Sequence, residues 1–445
     1  MFDDMLVDLQ GSGGDIMEAL PPPAEFAADA TATVVSPRWL LLNWYRSRTG
    51  DDASVAGDAR TVAESCTSTG WPFRISFGVA PPPASSFLNI TWLAGDPPRG
   101  DRNHDDPPTI IAVHDDCVLF ELRTPNTNPE MSLFPNRDYF VYDAGAAARP
   151  PSLSWLRACH IPMQYERRHG SGGTHRRARA RLLEDKDTVV LRRGDDYGDL
   201  LVAQLDVTCG DDVPEVYSGN VPRINAEMCV IGGGRGDWEL MEAVPITVHS
   251  EPASSGEGEG AELMQKWKTH VAIPIGNRYL CFVDYLRGML LCDITGMNTY
   301  NHRPLTLRYV PLPGDNIWSD KGRQTRNVAA AGANTEEDEL SSATWVKDGV
   351  LDCEDVWGFP GYGGIPKVSL EYPIVSAENP DVVCFIVCEN HYAPSEEMKV
   401  WIVEVNVRTK ELISTMPRTT DPWRANYHIA ARLRWYLIGR TGFLE

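Results

Sequence analysis

Short apolar runs separated by polar turns dominate the hydrophobic pattern of the chain. Val271–Ile294 is the clearest example. It holds two apolar runs, Tyr279–Val283 and Met289–Ile294, joined by a connection that contains Asp284 and Gly288. Short β-rich runs around an Asp/Gly-containing turn predict a β-hairpin. Because each run is almost continuously apolar, we expect its strands to be buried on both faces.

The same pattern continues along most of the chain. With 37 glycines and 33 prolines, turns are frequent and long helices are correspondingly few. Many short strands and few helical patterns predict an all-β architecture, either a sandwich or a propeller. The other predicted strand runs are Pro72–Val79, Ser86–Leu93, Thr109–Leu122, Tyr139–Tyr142, Thr188–Val207, Glu227–Gly232, Trp238–Val248, Leu305–Val310, Val368–Val375, Asp381–Cys388 and Met398–Ile413.

Paired runs recur along the chain and favour the propeller. Three of them start at Thr109, Thr188 and Val271, so their starts lie 79 and 83 residues apart. These gaps are near twice the roughly 40 residues of a propeller blade. The next paired run, Asp381–Ile413, breaks the spacing unless an insertion precedes it. We therefore predict a propeller-like array of short antiparallel sheets.

Composition divides the chain into three parts. Residues 1–35 are rich in acidic and small residues and contain neither Lys nor Arg, which is typical of a disordered acidic tail. Residues 36–415 are predicted to form a single β-rich domain, and residues 416–445 a tail. Within the domain we expect flexible insertions near 96–108, 167–181, 251–262 and 314–340.

The tail at 416–445 predicts a short helix. Asp421-Pro422 suits an N-cap followed by a first helical residue. Ile429, Leu433 and Leu437 then recur at helical spacing, with arginines between them. Such a basic amphipathic helix either packs on its own domain or docks on a partner or a membrane surface.

Charge and cysteine usage narrow the possible partners. The formal net charge of −21 repels phosphate backbones and anionic membranes, so nucleic-acid binding is not expected of the chain as a whole. No secretory signal and no membrane span is predicted. The cysteines lie scattered, and Cys281, Cys292, Cys384 and Cys388 fall inside apolar runs. We expect reduced core thiols in an intracellular protein of the cytoplasm or nucleus.

One segment resembles a known family. Trp267–Gly276, Arg278–Tyr285 and the Leu291-Cys-Asp293 that follows look like the hallmark of a plant family expanded in grasses, domain of unknown function 1618. Pro37–Asn43 and Ser376–Pro380 also fit, so the resemblance covers roughly residues 36–415. It implies a propeller-like fold similar to F-box-associated domains. No activity, cofactor or catalytic residue is established for that family, and no F-box is predicted within the first 36 residues.

Two groups of acidic residues are candidate sites for metal binding or acid/base catalysis. His114-Asp115-Asp116 offers metal ligands and acid/base groups, but it stands between two apolar runs, where a polar hairpin turn is the expected structure. Asp284 and Asp293 are two carboxylates near one predicted strand pair of the Val271–Ile294 segment. A glycosidase-like pair requires carboxylates about 5–10 Å apart. Turn and strand-end roles are the alternative.

Other motifs lack the pattern that their chemistry requires. Gly232–Gly236 matches no phosphate-binding fingerprint and is interpreted as a hairpin loop. In extended chain, Cys159 and His160 point in different directions, and Cys384 and Cys388 share a face without two further zinc ligands. We predict no catalytic residue, no metal ligand and no cofactor.

Arg167–Arg181 is the sharpest charge feature, with six arginines and two histidines. It is interpreted as a solvated loop, with a nuclear-localisation signal or an RNA contact as alternatives. Three function classes remain open. The first is a non-enzymatic protein-interaction scaffold, which the absence of a site favours. The others are a nuclear or RNA-associated factor using Arg167–Arg181, and an enzyme whose site is assembled from distant strands.

Overall fold

Five small, mostly antiparallel sheets form a ring in the computed structural model, a five-bladed β-propeller with almost no helix. This confirms the all-β, propeller-like prediction. The described residues all belong to the unit Ser36–Glu445. They are 39–44, 57–95, 108–126, 135–145, 149–160, 180–193, 200–209, 224–232, 237–248, 267–295, 297–298, 301–302, 305–313, 327–329, 350–390, 399–418 and 428–431.

The described strands are short, and most are hairpin neighbours. In chain order they are β1 Leu40–Asn43, β2 Ala63–Cys66, β3 Pro72–Gly78, β4 Ser85–Trp92, β5 Thr109–His114, β6 Cys117–Thr124, β7 Asn136–Asp143, β8 Ser152–Leu156, β9 Cys159–His160, β10 Ala180–Arg181, β11 Thr188–Arg192, β12 Leu200–Cys209, β13 Ile224–Gly232, β14 Glu239–Met241, β15 Ile246–Val248, β16 Val271–Ile275, β17 Tyr279–Asp284, β18 Gly288–Asp293, β19 Met297–Asn298, β20 Asn301–His302, β21 Leu307–Pro311, β22 Glu371–Val375, β23 Val382–Cys388, β24 Val400–Asn406, β25 Glu411–Arg418 and β26 His428–Ala431. One α-helix, α1 Cys353–Trp357, and a 3-10 turn, Ala59–Thr61, are also described.

The blades follow one another along the chain. Blade 1 has the strand order β2-β3-β4-β1-β26, blade 2 is β5-β6-β7-β8, and blade 3 is β11-β12-β13-β14. Blade 4 has the order β15-β21-β18-β17-β16, and blade 5 is β22-β23-β24-β25. Strand β11 lies beside both β5 and β16, and β22 lies beside β26, so one terminal strand of each sheet faces the middle of the ring. The pairs β9–β10 and β19–β20 are separate two-stranded hairpins.

The spacing of paired runs is explained differently from the prediction. Each of the two intervals, from Thr109 to Thr188 and from Thr188 to Val271, holds one blade rather than two. The four strands of a blade occupy only part of its interval, because long stretches of chain lie between β8 and β11 in the first interval and between β15 and β16 in the second. A period of about 40 residues therefore overestimates the number of blades in this chain.

The first and last described strands close the ring. Strand β26 pairs antiparallel with β1, with Leu40 opposite Ala431 and Asn43 opposite His428. The helix predicted around Ile429 is wrong at these four residues, which form a strand. Its remaining residues lie outside the described part of the chain. Pairing with β1 overrides the helical spacing of these residues, because β1 is buried throughout and its edge pairs with β26.

The Val271–Ile294 segment forms strands β16, β17 and β18 of blade 4. Leu280, Phe282 and Leu290 pack into the core shared with blade 3. Cys281 and Val283 point to the other face, into a second buried cluster. The prediction of a hairpin buried on both faces is confirmed, and its cause is the alternation of side chains along a strand covered on both sides.

Most of the predicted insertions lie outside the described residues. Strand β10 falls within 167–181, and residues 327–329 are described within 314–340. The acidic segment 1–35 also lies outside. Helix α1 was not predicted. It is five residues long, and buried Val356 packs in the core of blade 5.

Candidate functional site

The turn between β5 and β6 carries the side chains that the sequence singled out. His114 ends β5, and Asp115 adopts a left-handed conformation with φ 49°, which Asp tolerates better than most residues. The Asp116 carbonyl accepts a hydrogen bond from the Ala144 backbone N–H at 2.8 Å. The hairpin-turn interpretation of His114–Asp116 is therefore confirmed.

Arg192, the last residue of β11, reaches from blade 3 into this turn of blade 2. Its Nε lies 3.1 Å from Asp116 Oδ1, and its Nη2 contacts Asp143 Oδ2 at the end of β7. The same nitrogens lie 3.3 and 2.9 Å from Cys117 Sγ. All four side chains are largely buried, with Arg192 12% exposed. We call Arg192, Asp116, Cys117 and Asp143 the Arg192 cluster.

Asp143 is satisfied on both carboxylate oxygens. Its Oδ1 accepts the Gly145 backbone N–H at 2.7 Å and lies 3.0 Å from Arg149 Nη2, while Oδ2 contacts Arg192. Ion pairs buried to this degree depend on such additional hydrogen bonds to offset the loss of hydration. Asp143 therefore links the end of blade 2 to blade 3 and to its own following loop.

His114 lies where three blades meet. Its Nδ1 accepts the Arg192 backbone N–H at 2.9 Å, and the ring also hydrogen-bonds the backbone of Gly276 after β16. Burial lowers the pKa of His114, the Asp115 carboxylate partly opposes this, and Arg192 reinforces it. The imidazole is therefore neutral at pH 7, with both ring nitrogens engaged, which leaves neither free for proton transfer to a substrate.

The ionisable groups of the Arg192 cluster are also poorly suited to chemistry. Burial raises the pKa of the Cys117 thiol to about 12, despite the nearby Arg192. The thiol is thus protonated and is not an activated nucleophile. Burial raises the pKa of Asp116 as well, while Arg192 lowers it. The guanidinium pairs with both carboxylates of the cluster, as expected of a structural ion-pair network.

The Arg192 cluster contains the one set of three metal-type ligands in the described part of the chain. Asp116, Cys117 and Asp143 each offer a ligand atom, all within 4.8 Å of one another. However, Arg192 donors already occupy the space among these atoms, at hydrogen-bond distance from all three side chains. A divalent cation would have to displace the guanidinium. We therefore assign the set to an inter-blade ion pair.

Asp284 serves the turn between β17 and β18. Its fully buried carboxylate accepts the backbone N–H groups of Lys268 and Leu286, each at 2.9 Å, and lies 2.8 Å from Arg287 Nη1. His270 Nδ1 lies 3.5 Å away. These bonds tie the chain before β16 to the far end of the hairpin, so the carboxylate has a structural task.

Asp293 lies at the opposite end of the same strand pair. Burial raises the pKa of Asp293, but hydrogen bonds from Arg278 and Thr295 lower it by more, so the pKa is lowered overall. Asp284 is opposite Gly288 in the ladder, whereas Asp293 is opposite Tyr279. Five residues at about 3.3 Å each separate the two ends by roughly 17 Å, too far for a glycosidase-like carboxylate pair.

The cysteine motifs take the positions that the sequence predicts, whereas Gly232, the first residue of the predicted glycine loop, belongs to strand β13. Cys159 is buried and His160 exposed, so the adjacent pair diverges. Cys384 and Cys388 are buried on β23, and burial raises the pKa of each. Gly232 is the last residue of β13, with φ 140°, and a side chain there would clash with the Leu200 carbonyl. Residues 233–236 lie outside the described residues.

Arg181 is the one arginine of Arg167–Arg181 that the structure describes, and it is not in solution. Its side chain is 9% exposed, its Nη2 contacts Glu227 Oε2, and Asp206 Oδ2 lies 3.7 Å away. This contradicts a fully solvated loop at its last residue. The preceding arginines, through Arg179, lie outside the described residues.

Sequence reasoning missed Arg192, Asp143, Glu227 and Cys229. Arg192 stands at the end of an apolar run, where a polar residue usually enters solvent, and Asp143 looks like an ordinary turn residue. Only the packing of blade 2 against blade 3 brings Arg192 and Asp143 together. The weak signal available was a charged residue that directly follows a buried strand.

No family model matches the chain, and no curated protein matches it. Within the described residues, no helix has the length and apolar character needed to cross a membrane.

Proposed function

We propose that this protein is a non-enzymatic, intracellular protein-interaction scaffold, and that it belongs to the plant family that Val271–Ile294 resembles. The observation that carries the functional part is the state of the Arg192 cluster and His114. The most concentrated set of reactive side chains among the described residues is buried, paired and shared between blades. A five-bladed ring held together in this way supports the presentation of surface rather than catalysis.

The outer strand β8 of blade 2 is the surface that we assign to the partner. Trp155 on β8 is 53% exposed, although Trp is a residue type that usually buries most of its surface. Strand β8 ends the strand order of blade 2, next to β7, and β2 of blade 1 lies beside it. Trp155 therefore supplies a large aromatic anchor on the outermost strand of the blade.

A net-basic segment of another protein suits this surface, because the net charge of −21 favours a positive ligand over an acidic one. Binding should therefore weaken as salt is raised, because the long-range part of the attraction is screened.

Affinity capture with matched variants tests the proposal. The tagged chain, W155A and I413A are incubated with a grass-tissue extract at low and physiological salt, and bound proteins are quantified by mass spectrometry. Ile413 is 51% exposed on β25 of blade 5, so it controls for loss of an exposed apolar side chain elsewhere. A partner is then purified and titrated directly against all three proteins.

We expect a reproducible partner whose affinity falls at least tenfold for W155A and is unchanged for I413A. Equal binding by W155A and the wild type would refute the surface. Failure to capture any reproducible partner would refute the scaffold. Turnover of a substrate by the purified chain would establish the enzymatic alternative, and retention of RNA that requires Arg167–Arg179 would establish the nucleic-acid alternative.

A further inference from the structure

Cys159 and Cys229 come from different structural units and meet in one buried place. Cys159 lies on β9, where it pairs with Arg181 of β10. Cys229 lies in the middle of β13, opposite Gln204 of β12. Each is 1% exposed, both belong to one buried cluster, and their side chains hydrogen-bond to each other. We propose that Cys159 and Cys229 are a peroxide-oxidisable pair whose disulfide fastens the β9–β10 hairpin to blade 3.

An ion pair holds the hairpin against the cysteine of blade 3. Arg181 contacts Glu227 and lies near Asp206, and these two acidic residues are opposite one another in the β12–β13 ladder. Glu227 is two residues before Cys229, so their side chains project from the same face of the sheet. The contact that positions Arg181 thus also brings Cys159, its ladder partner, to Cys229.

The pair differs from the other buried cysteines in its surroundings. Burial alone raises the pKa of Cys281 to about 12, and that thiol touches Met289 Sδ at 3.7 Å. At Cys229, by contrast, the hydrogen bond from Cys159 lowers the thiol pKa and Arg181 lowers it further, while burial, Glu227 and Asp206 partly oppose them. The same hydrogen bond raises the pKa of Cys159. Cys229 is thus the thiol that loses its proton more readily, and Cys159 is the hydrogen-bond donor.

These roles define a balanced oxidation by a hydroperoxide. The deprotonated Cys229 sulfur attacks the terminal peroxide oxygen and the O–O bond breaks, which gives a sulfenic acid on Cys229. When the oxidant is hydrogen peroxide, the leaving group is hydroxide. The Cys159 sulfur then attacks the Cys229 sulfur and forms the S–S bond. The Cys159 proton and the departing hydroxide leave as water. Two thiols are oxidised and one peroxide is reduced to two water-level oxygens, so no further reactant is needed.

Closing the bond requires the two sulfurs to move from hydrogen-bond contact to about 2.05 Å. Cys229 is held in β13 between β12 and β14, whereas Cys159 lies on a two-stranded hairpin with no other ladder partner among the described strands. The hairpin is therefore the part that moves. The disulfide would close a loop between residues 159 and 229, which constrains the unfolded chain and raises the melting temperature by several degrees.

Peptide mapping tests the pair in the full chain. The protein carries Cys66→Ser, because Cys66 is exposed and would otherwise form dimers. Reduced protein is treated with graded hydrogen peroxide and digested without reductant, and cross-linked peptides are identified by mass spectrometry. Cys281→Ser is the matched control, because Cys281 is also buried but has no cysteine partner.

We expect one intramolecular Cys159–Cys229 cross-link, the loss of two thiols, and a higher melting temperature that dithiothreitol reverses. C281S should behave in the same way. C159S should accumulate a dimedone-reactive sulfenic acid at Cys229, whereas C229S should leave Cys159 unmodified. If either serine variant is misfolded by circular dichroism, the alanine variant replaces it. No cross-link at any peroxide concentration that leaves the protein folded would overturn the proposal, as would preferential oxidation of Cys159 in C229S.

Discussion

Removing the Arg192 side chain gives the most direct test of how the blades are held together. In Arg192→Met the long unbranched stem is kept and the cation is lost. Asp116 and Asp143, whose side chains are 6% and 5% exposed, then lose the guanidinium that lies between them. Asp143 keeps its bonds from Arg149 and Gly145, so Asp116 bears most of the loss.

The magnitude follows from burial. Removing one partner of a buried ion pair leaves an uncompensated charge and typically costs about 3–5 kcal/mol of unfolding free energy. The matched change, Arg278→Met, breaks the Arg278–Asp293 pair, whose side chains are 26% and 41% exposed. An exposed pair is worth roughly 0–1 kcal/mol, because water screens it. The two identical substitutions should therefore differ by at least about 2 kcal/mol.

Urea unfolding at pH 7.5 measures the difference, with tryptophan fluorescence and circular dichroism required to give the same midpoint. Burial raises the pKa of Asp116 and Arg192 lowers it, so the variant should raise that pKa further. A folded pKa above the unfolded one removes stability as the pH rises through the interval between them. The deficit of R192M should thus be larger at pH 7.5 than at pH 5. If R192M and R278M lose equal free energy, the ion pair does not join the blades as we describe.

Three further substitutions probe the hairpin of blade 4 and the imidazole. Gly288→Ala places Cβ 2.5 Å from the Val310 carbonyl and 2.6 Å from the Tyr309 ring. It should cost about 1–3 kcal/mol, and an unchanged melting temperature would contradict this. Asp284→Asn should lose about 3 kcal/mol in urea unfolding, whereas a wild-type midpoint would deny its structural task. The lowered pKa of His114 means that the unfolded chain takes up a proton first as the pH falls below about 6.5. Wild-type stability should therefore decrease between pH 7.5 and 5.5 more steeply than that of His114→Gln, and parallel profiles would refute the assignment.

The parts of the fold that sequence predicts are local. The β5–β6 hairpin is encoded within 16 residues and the β17–β18 hairpin within 15, by apolar runs around Asp-containing turns. In contrast, β26 depends on a partner at Leu40–Asn43. The spacing of apolar residues around Ile429 favours a helix, because the local sequence carries no information about the distant strand β1. Local period is a weak guide wherever the partner strand is distant.

The candidate site shows the same division. His114 and Asp116 were recognised because they are adjacent in a turn, yet their meaning depends on Arg192, 75 residues from Cys117 along the chain. No short motif connects residues from two blades. The ion pairs that join Asp116 and Asp143 to Arg192 exist only after the sheets have packed.

The pairing of β1 with β26 has a consequence for biosynthesis. The chain is synthesised from its N-terminus, so Leu40 of β1 leaves the ribosome long before Ala431, its ladder partner in β26. During that interval blade 1 has an open, apolar edge of the kind that recruits foreign strands. The ring can close only when nearly the whole domain has been translated. A chain shortened before His428 lacks β26 and cannot cover this edge. We therefore expect the truncation to increase chaperone dependence during synthesis before it measurably changes the stability of the folded ring.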